Sequence, residues 1–191
     1  MGSGGAYGLA GTVGGNNTIN GDVCVTQFGQ VSPASTVFGV ASLVGSVAFG
    51  GAGGEGGFDE DGSYSGAGGN GGGLIFITSP TLTVTGSIQS NGTAGGNGVS
   101  GALVGATTQP FPLDSCGAGA GMGGGGGGAG GAVRIISSTT ATLGANLVTA
   151  TGAGGGVCSG GSAGAGVGGV GRVGIKATAS TGTTNPVFNA N

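Results

Sequence analysis

GAGAGMGGGGGGAGGAVRIISSTTATLGANLVTATG, residues 117–152, runs a glycine tract directly into a short apolar, β-branched segment. The two halves make opposite demands on the backbone. Residues 117–131 have almost no side chain to bury, so they order only where backbones come close enough to hydrogen-bond directly, against the largest ordering entropy of any residue. Residues 132–152 are rich in Val, Ile, Thr and Leu and are bounded by Gly and Asn, with an alternation in places (Arg134, Ile136) that reads as short strands. The same coupling of tract and run recurs along the chain, in which 56 of 191 residues are glycine.

That composition excludes several classes. Collagen needs a strict Gly-X-Y period and abundant proline. The tracts GGAGGEGG, GAGGNGGG and GAGVGGVG are irregular, and the chain holds five prolines. Charged residues make up 5% of the chain against about 25% in an ordinary domain. Mean hydropathy is +0.35, whereas disordered low-complexity chains are usually polar and charged. With no tryptophan, seven phenylalanines and two tyrosines, large core side chains are scarce. The tracts therefore read as extended, polyproline II-like glycine helices that satisfy their polar groups by bundling together.

Internal repetition organises the rest. One unit runs from Gly72-Gly73-Leu74-Ile75-Phe76-Ile77-Thr78-Ser79 through Thr81-Leu82-Thr83-Val84-Thr85-Gly86 to Ser87-Ile88-Gln89-Ser90-Asn91-Gly92. A second begins at Gly130-Gly131-Ala132-Val133-Arg134-Ile135-Ile136 and ends at Gly152. A third begins at Gly168-Gly169-Val170-Gly171-Arg172-Val173-Gly174-Ile175-Lys176, and a weaker copy spans residues 37–50. Such a unit cannot bury its apolar face alone, so stacked copies are the physical solution. The expected fold is all-β without helix: a glycine-rich β-solenoid, parallel β-helix-like, with polyglycine II-type segments packed alongside. Residues 1–36 read as an extended assembly segment, 37–178 as the glycine-rich repeats and 179–191 as a C-terminal tail.

The runs GGGLIFITSPTLTVTGSIQSNGTAGGNG and GGAGGAVRIISSTTATLGANLVTATGAGGG resemble the glycine-rich β-solenoid and polyglycine II repeats of bacterial surface proteins and bacteriophage fibres. In that group an apolar strand, a Thr/Ser-rich strand and a GTIxxNGGxGG return recur. Gly86-Ser87-Ile88-Gln89-Ser90-Asn91-Gly92 matches the return well and residues 144–152 match it in part. The resemblance covers about residues 37–178 and implies a structural or adhesive role. It extends to the glycine-rich adhesins at some phage fibre tips, where polyglycine II helices pack as a sandwich.

Chemistry-bearing patterns are few. The chain contains no histidine, so the commonest general base and metal ligand is missing. No GK[ST] loop occurs, and Arg134, Arg172 and Lys176 are its only cations, too few for a phosphate-binding footprint. The expectation is a non-enzymatic protein without cofactor, nucleic-acid partner or membrane-inserted segment. Glu55, Asp59, Glu60 and Asp61 form one acidic cluster. A solvated loop is the plain reading, and Ca²⁺ ligation by Glu55, Asp59 and Asp61 the alternative, although EF-hand spacing fails. Arg134 and Arg172, at comparable places in two copies, suggest a short stacked ladder.

Cys116 and Cys158 follow successive repeats and are candidates for a disulfide in an oxidising location. Cys24 is left over, either as a buried thiol or as an intersubunit bridge. Residues 1–20 lack the basic start and continuous apolar core of a secretory signal, which leaves a signal missing from this sequence or exit in a virion. A nearly uncharged, Thr/Ser/Asn-rich surface favours an extracellular location.

The leading expectation is a self-assembling subunit of an extracellular filament or virion fibre, a homopolymer joined through open strand edges. The runner-up is a receptor-binding adhesin at a fibre tip, recognising a cell-surface glycan or protein. Its contact loop would be ATTQPFPLD, residues 106–114, with Gln109, Phe111 and Asp114 as contacts. Equally, the loop is a proline-stiffened turn whose Phe111 plugs the fold. Ice binding is a third reading, from the alternation in Thr81-Leu82-Thr83-Val84-Thr85. Read along the sequence, that alternation is not repeated in the next copy, Thr139-Thr140-Ala141-Thr142-Leu143.

Overall fold

The computed structural model describes residues 4–8, 10–12, 36–37, 43–56, 65–98, 123–157 and 164–190. Among these there is no helix. Six strands are present: β1 (Leu74–Thr83), β2 (Ile88–Gln89), β3 (Ala132–Thr149), β4 (Arg172–Lys176), β5 (Ala179–Asn185) and β6 (Asn189–Ala190). Every strand pairing is parallel. β1 and β2 lie against β3, β3 against β4 and β5, and β4 against β6.

Parallel neighbours require a long crossover, and the glycine tracts supply it. The chain leaves β2, passes through the glycines around residues 92–98 and 123–131, and re-enters the sheet at β3. It then repeats the excursion through residues 150–157 and 164–171 before β4.

The 18-residue β3 places Val133, Ile135, Ala141, Leu143 and Val148 in one apolar cluster with Val173 and Ile175 of β4. Ile75, Ile77 and Leu82 of β1 pack against the same cluster, as does Phe188. One strand lines a shared interior at both ends only if it bends, and two positive-φ residues mark the corner, Gly144 (φ 69°) and Asn146 (φ 53°). The next copy turns at Gly182 (φ 100°), where an added Cβ would strike the backbone of Gly144. At Gly182 glycine is required by both conformation and space.

The glycine segments form a second body held by backbone hydrogen bonds of 2.7–3.0 Å. At its centre lie residues 123–131, all buried. The N–H groups of Gly125, Gly128 and Gly131 donate to the carbonyls of Gly96, Thr93 and Ser90. Those of Gly126 and Ala129 donate to Gly54 and Gly51, and those of Gly127 and Gly130 to Gly166 and Gly169. Every third residue thus faces one neighbour, which is the repeat of a polyproline II helix.

The carbonyls obey the same period. Gly66, Gly69 and Gly72 donate to Gly123, Gly126 and Ala129; Gly156 and Ala153 donate to Gly125 and Gly128; Gly5 donates to Gly127. Three neighbouring segments accept from the central one and three others donate to it, so its buried polar groups are paired as their desolvation demands.

Residues at both ends of the chain join these bodies. Gly5 and Gly8 bond to Gly127 and Val170, and Gly169 donates back to Gly5. The tail 179–191 set apart in the sequence supplies β5 and β6, so the third copy continues beyond Lys176: Thr140 pairs with Ala179 and Thr142 with Thr181.

Candidate assembly surface

The parallel ladder has two ends. At one, β1 pairs with β3 alone among the described residues, and its other edge carries no strand. Ile75, Ile77 and Leu82 turn toward the core, which leaves Leu74, Phe76, Thr78, Thr81 and Thr83 exposed. Phe76 is 57% exposed, and β1 contains no charged residue. Charge and proline are the usual guards of a free edge; here Pro80 alone interrupts the row of donors, at the bulge between Ser79 and Thr81. At the other end, among the described residues, β5 pairs only with β3, and β6 covers β4 only at Gly174 and Ile175.

Near the start of β6, a cleft of about 340 Å³ opens beside Gly8, Arg172, Pro186, Val187 and Asn189. The buried Arg172 guanidinium stacks 4.7 Å over the Tyr7 ring, a favourable cation–π geometry. Its Nη2 also approaches the Tyr7 carbonyl at 3.5 Å, and the Tyr7 hydroxyl accepts from the Ala48 amide at 3.2 Å. Tyr7, 1% exposed, packs with Leu43, Ala129 and Ala132. It fastens the segment around residues 4–8 to β4 and to the stretch before the first glycine tract. Nothing in the pattern around a lone tyrosine announces this role.

The stacked arginine ladder expected from the sequence does not form. Register pairs Arg172 with Ala132, and Arg134 with Phe76 and Gly174. The cause is a slip of two residues: backbone bonding of Arg172 to Gly131 sets the alignment, rather than the matching Gly-Gly pairs of the sequence. Arg134 is buried, with its Nη1 lacking a hydrogen-bond partner.

Of the acidic cluster, Glu55 is exposed at the end of a glycine segment. Asp59, Glu60 and Asp61 lie outside the described residues, as do Cys24, Cys116 and Cys158 and the contact-loop residues Gln109, Phe111 and Asp114. Among the described residues no three His, Cys, Asp or Glu side chains gather to hold a metal. No helix among them is long and apolar enough to cross a membrane. Compared with protein-family models, curated proteins and solved structures, the chain matches none, so its surfaces must be read from their own geometry.

Proposed function

We propose that this chain is a non-enzymatic structural protein, a self-assembling subunit of an extracellular filament or virion fibre. In this reading the stacked strands are a glycine-rich β-solenoid braced by a polyglycine II bundle, and copies join end to end through the ladder. The observation that carries the proposal is the uncharged β1 edge, which carries no strand among the described residues, with Leu74 and Phe76 exposed beside it. Because all pairings are parallel, a second copy shifted along the ladder offers β1 a strand of matching polarity from its own far end. Such a contact joins two different surfaces and does not close on itself, and heterologous contacts of that kind propagate as filaments.

Electron microscopy of the full chain at micromolar concentration tests this, with Phe76→Lys and Thr78→Pro as edge-blocking variants. Uniform filaments from the parent chain, lost in both variants while circular dichroism is unchanged, are the expected result. A monodisperse monomer, or filaments indifferent to both changes, would overturn the proposal.

A further inference from the structure

The ladder carries a second ordered surface, on the outer face of β1, β3 and β5. Aligned by the Gly-Gly pairs that open the two copies, Thr81-Leu82-Thr83 falls on Thr139-Thr140-Ala141, but the register sets it against Thr140-Ala141-Thr142. The β1–β3 bulge after Ser79 lets β3 run one residue ahead, so Thr81 pairs with Thr140 rather than Thr139, and Thr83 with Thr142. On the far side of β3 the same two positions meet Ala179 and Thr181 of β5. Two files result, Thr81–Thr140–Ala179 and Thr83–Thr142–Thr181.

All six residues are exposed, whereas Leu82 and Ala141 between them belong to the core. Strand geometry sets the grid at about 4.8 Å between neighbours in a file and about 6.6 Å between files. No charged or aromatic residue occurs in 81–83, 140–142 or 179–181.

This surface presents hydroxyls and methyls at fixed points. Threonine is stiff at χ1 because of its β-branch, and the sheet fixes each Cβ. The Thr81 hydroxyl is further held at 2.9 Å from that of Thr139, which itself donates to the Pro80 carbonyl at 2.6 Å. Groups ordered before contact lose little entropy on binding. Each hydroxyl both donates and accepts, and no charge is present to hold a hydration shell of its own geometry.

The matching partner is uncharged, carries both donors and acceptors, and repeats in two dimensions on the scale of the grid. A crystalline face of water meets all three conditions. A sugar polymer would gain from an aromatic platform, and the grid has none. We propose that the Thr81/Thr83–Thr140/Thr142–Thr181 face adsorbs to ice. The inference does not rest on end-to-end assembly.

The test uses the purified full chain in a nanolitre osmometer, reading ice-crystal shape and the gap between melting and freezing temperatures. Thr142→Lys places a charge at the centre of the grid, and Val157→Lys places one on the glycine bundle, outside both the grid and the β1 edge. Both sites are exposed, and circular dichroism with thermal melting establishes that the variants fold. Faceted crystals and a measurable gap are expected from the parent chain and from Val157→Lys, with loss of both in Thr142→Lys. Round crystals and no gap from the parent chain would overturn the proposal. So would equal activity of Thr142→Lys and the parent, or retention by insoluble polysaccharide with no effect on ice.

Discussion

The glycine bundle and the strand ladder meet within one uninterrupted segment, residues 123–149, yet they are stabilised in different ways. From Gly123 to Gly131 the contacts are mainly backbone on backbone, and at Gly124, Gly125, Gly127, Gly128, Gly130 and Gly131 an added Cβ would strike a neighbouring backbone, while Ala129 carries one into an apolar cluster. From Ala132 to Thr149 the contacts are side chain on side chain, and alternate residues are fixed by what they must bury. In the bundle one hydrogen bond, a net gain of about 1 kcal/mol, is set against an ordering cost of about 1–2 kcal/mol per residue. Bonds alone therefore do not hold it, and the remainder comes from close dispersion contact and from docking on the apolar ladder.

The sharpest way to break the comparison is a bundle substitution that a ladder would accept. Valine, a good strand residue, at Gly128 would drive its Cβ into the carbonyl of Asn70, where only backbone surrounds it. No rotamer relieves that clash, so Gly128→Val is expected to exceed the usual overpacking penalty of about 1–3 kcal/mol and to abolish the cooperative transition in urea.

The reciprocal change removes apolar volume from the ladder. Leu143 is fully buried in the core cluster, and Leu143→Ala is expected to cost about 2–5 kcal/mol by loss of burial and creation of a cavity. Chemical denaturation would show this as a lower midpoint with an unchanged slope.

The smallest effect sharpens the contrast, because it falls on a glycine beyond the bundle's reach. A Cβ at Gly73 meets nothing within 4 Å, and its φ lies outside the left-handed region. Gly73→Ala is therefore expected to be neutral or to stabilise by about 0.4–1 kcal/mol through the unfolded chain. A loss of more than that in thermal melting would show that bundle-like restriction extends into the first strand.

The same division explains what the sequence made legible. Val, Ile and Leu at strand spacing disclosed the segments around Leu74, Ala132 and Arg172, and uninterrupted glycine disclosed backbone packing. Register was not legible, because Gly-Gly pairs match one another at several offsets. The alignment of Arg134 with Arg172 failed for that reason, whereas the reading that left Thr140 and Thr142 without partners failed because no local pattern marks the one-residue bulge after Ser79. β5 escaped notice because Ala179–Asn185, ASTGTTN, contains no large apolar residue; it is a strand by virtue of lying on β3. That β1 carries no second strand among the described residues follows from strand order, which no local pattern encodes, and Tyr7 acquires its role only when residues far apart in sequence converge on it.

The position of residues 123–131 also sets the order of events as the chain folds. Their hydrogen-bond partners come from Gly5, residues 51–54, 66–72, 90–96, 153–156 and 166–169, so almost the whole polypeptide must be synthesised before the centre is satisfied. The loops to be closed are long and give no local reward on the way, a topology that folds slowly. Strands of the first two copies can associate while the glycines between them remain unpaired. The middle of the molecule is then expected to be secured last, and pulsed hydrogen exchange during refolding should show its amide protons becoming protected in a single late step.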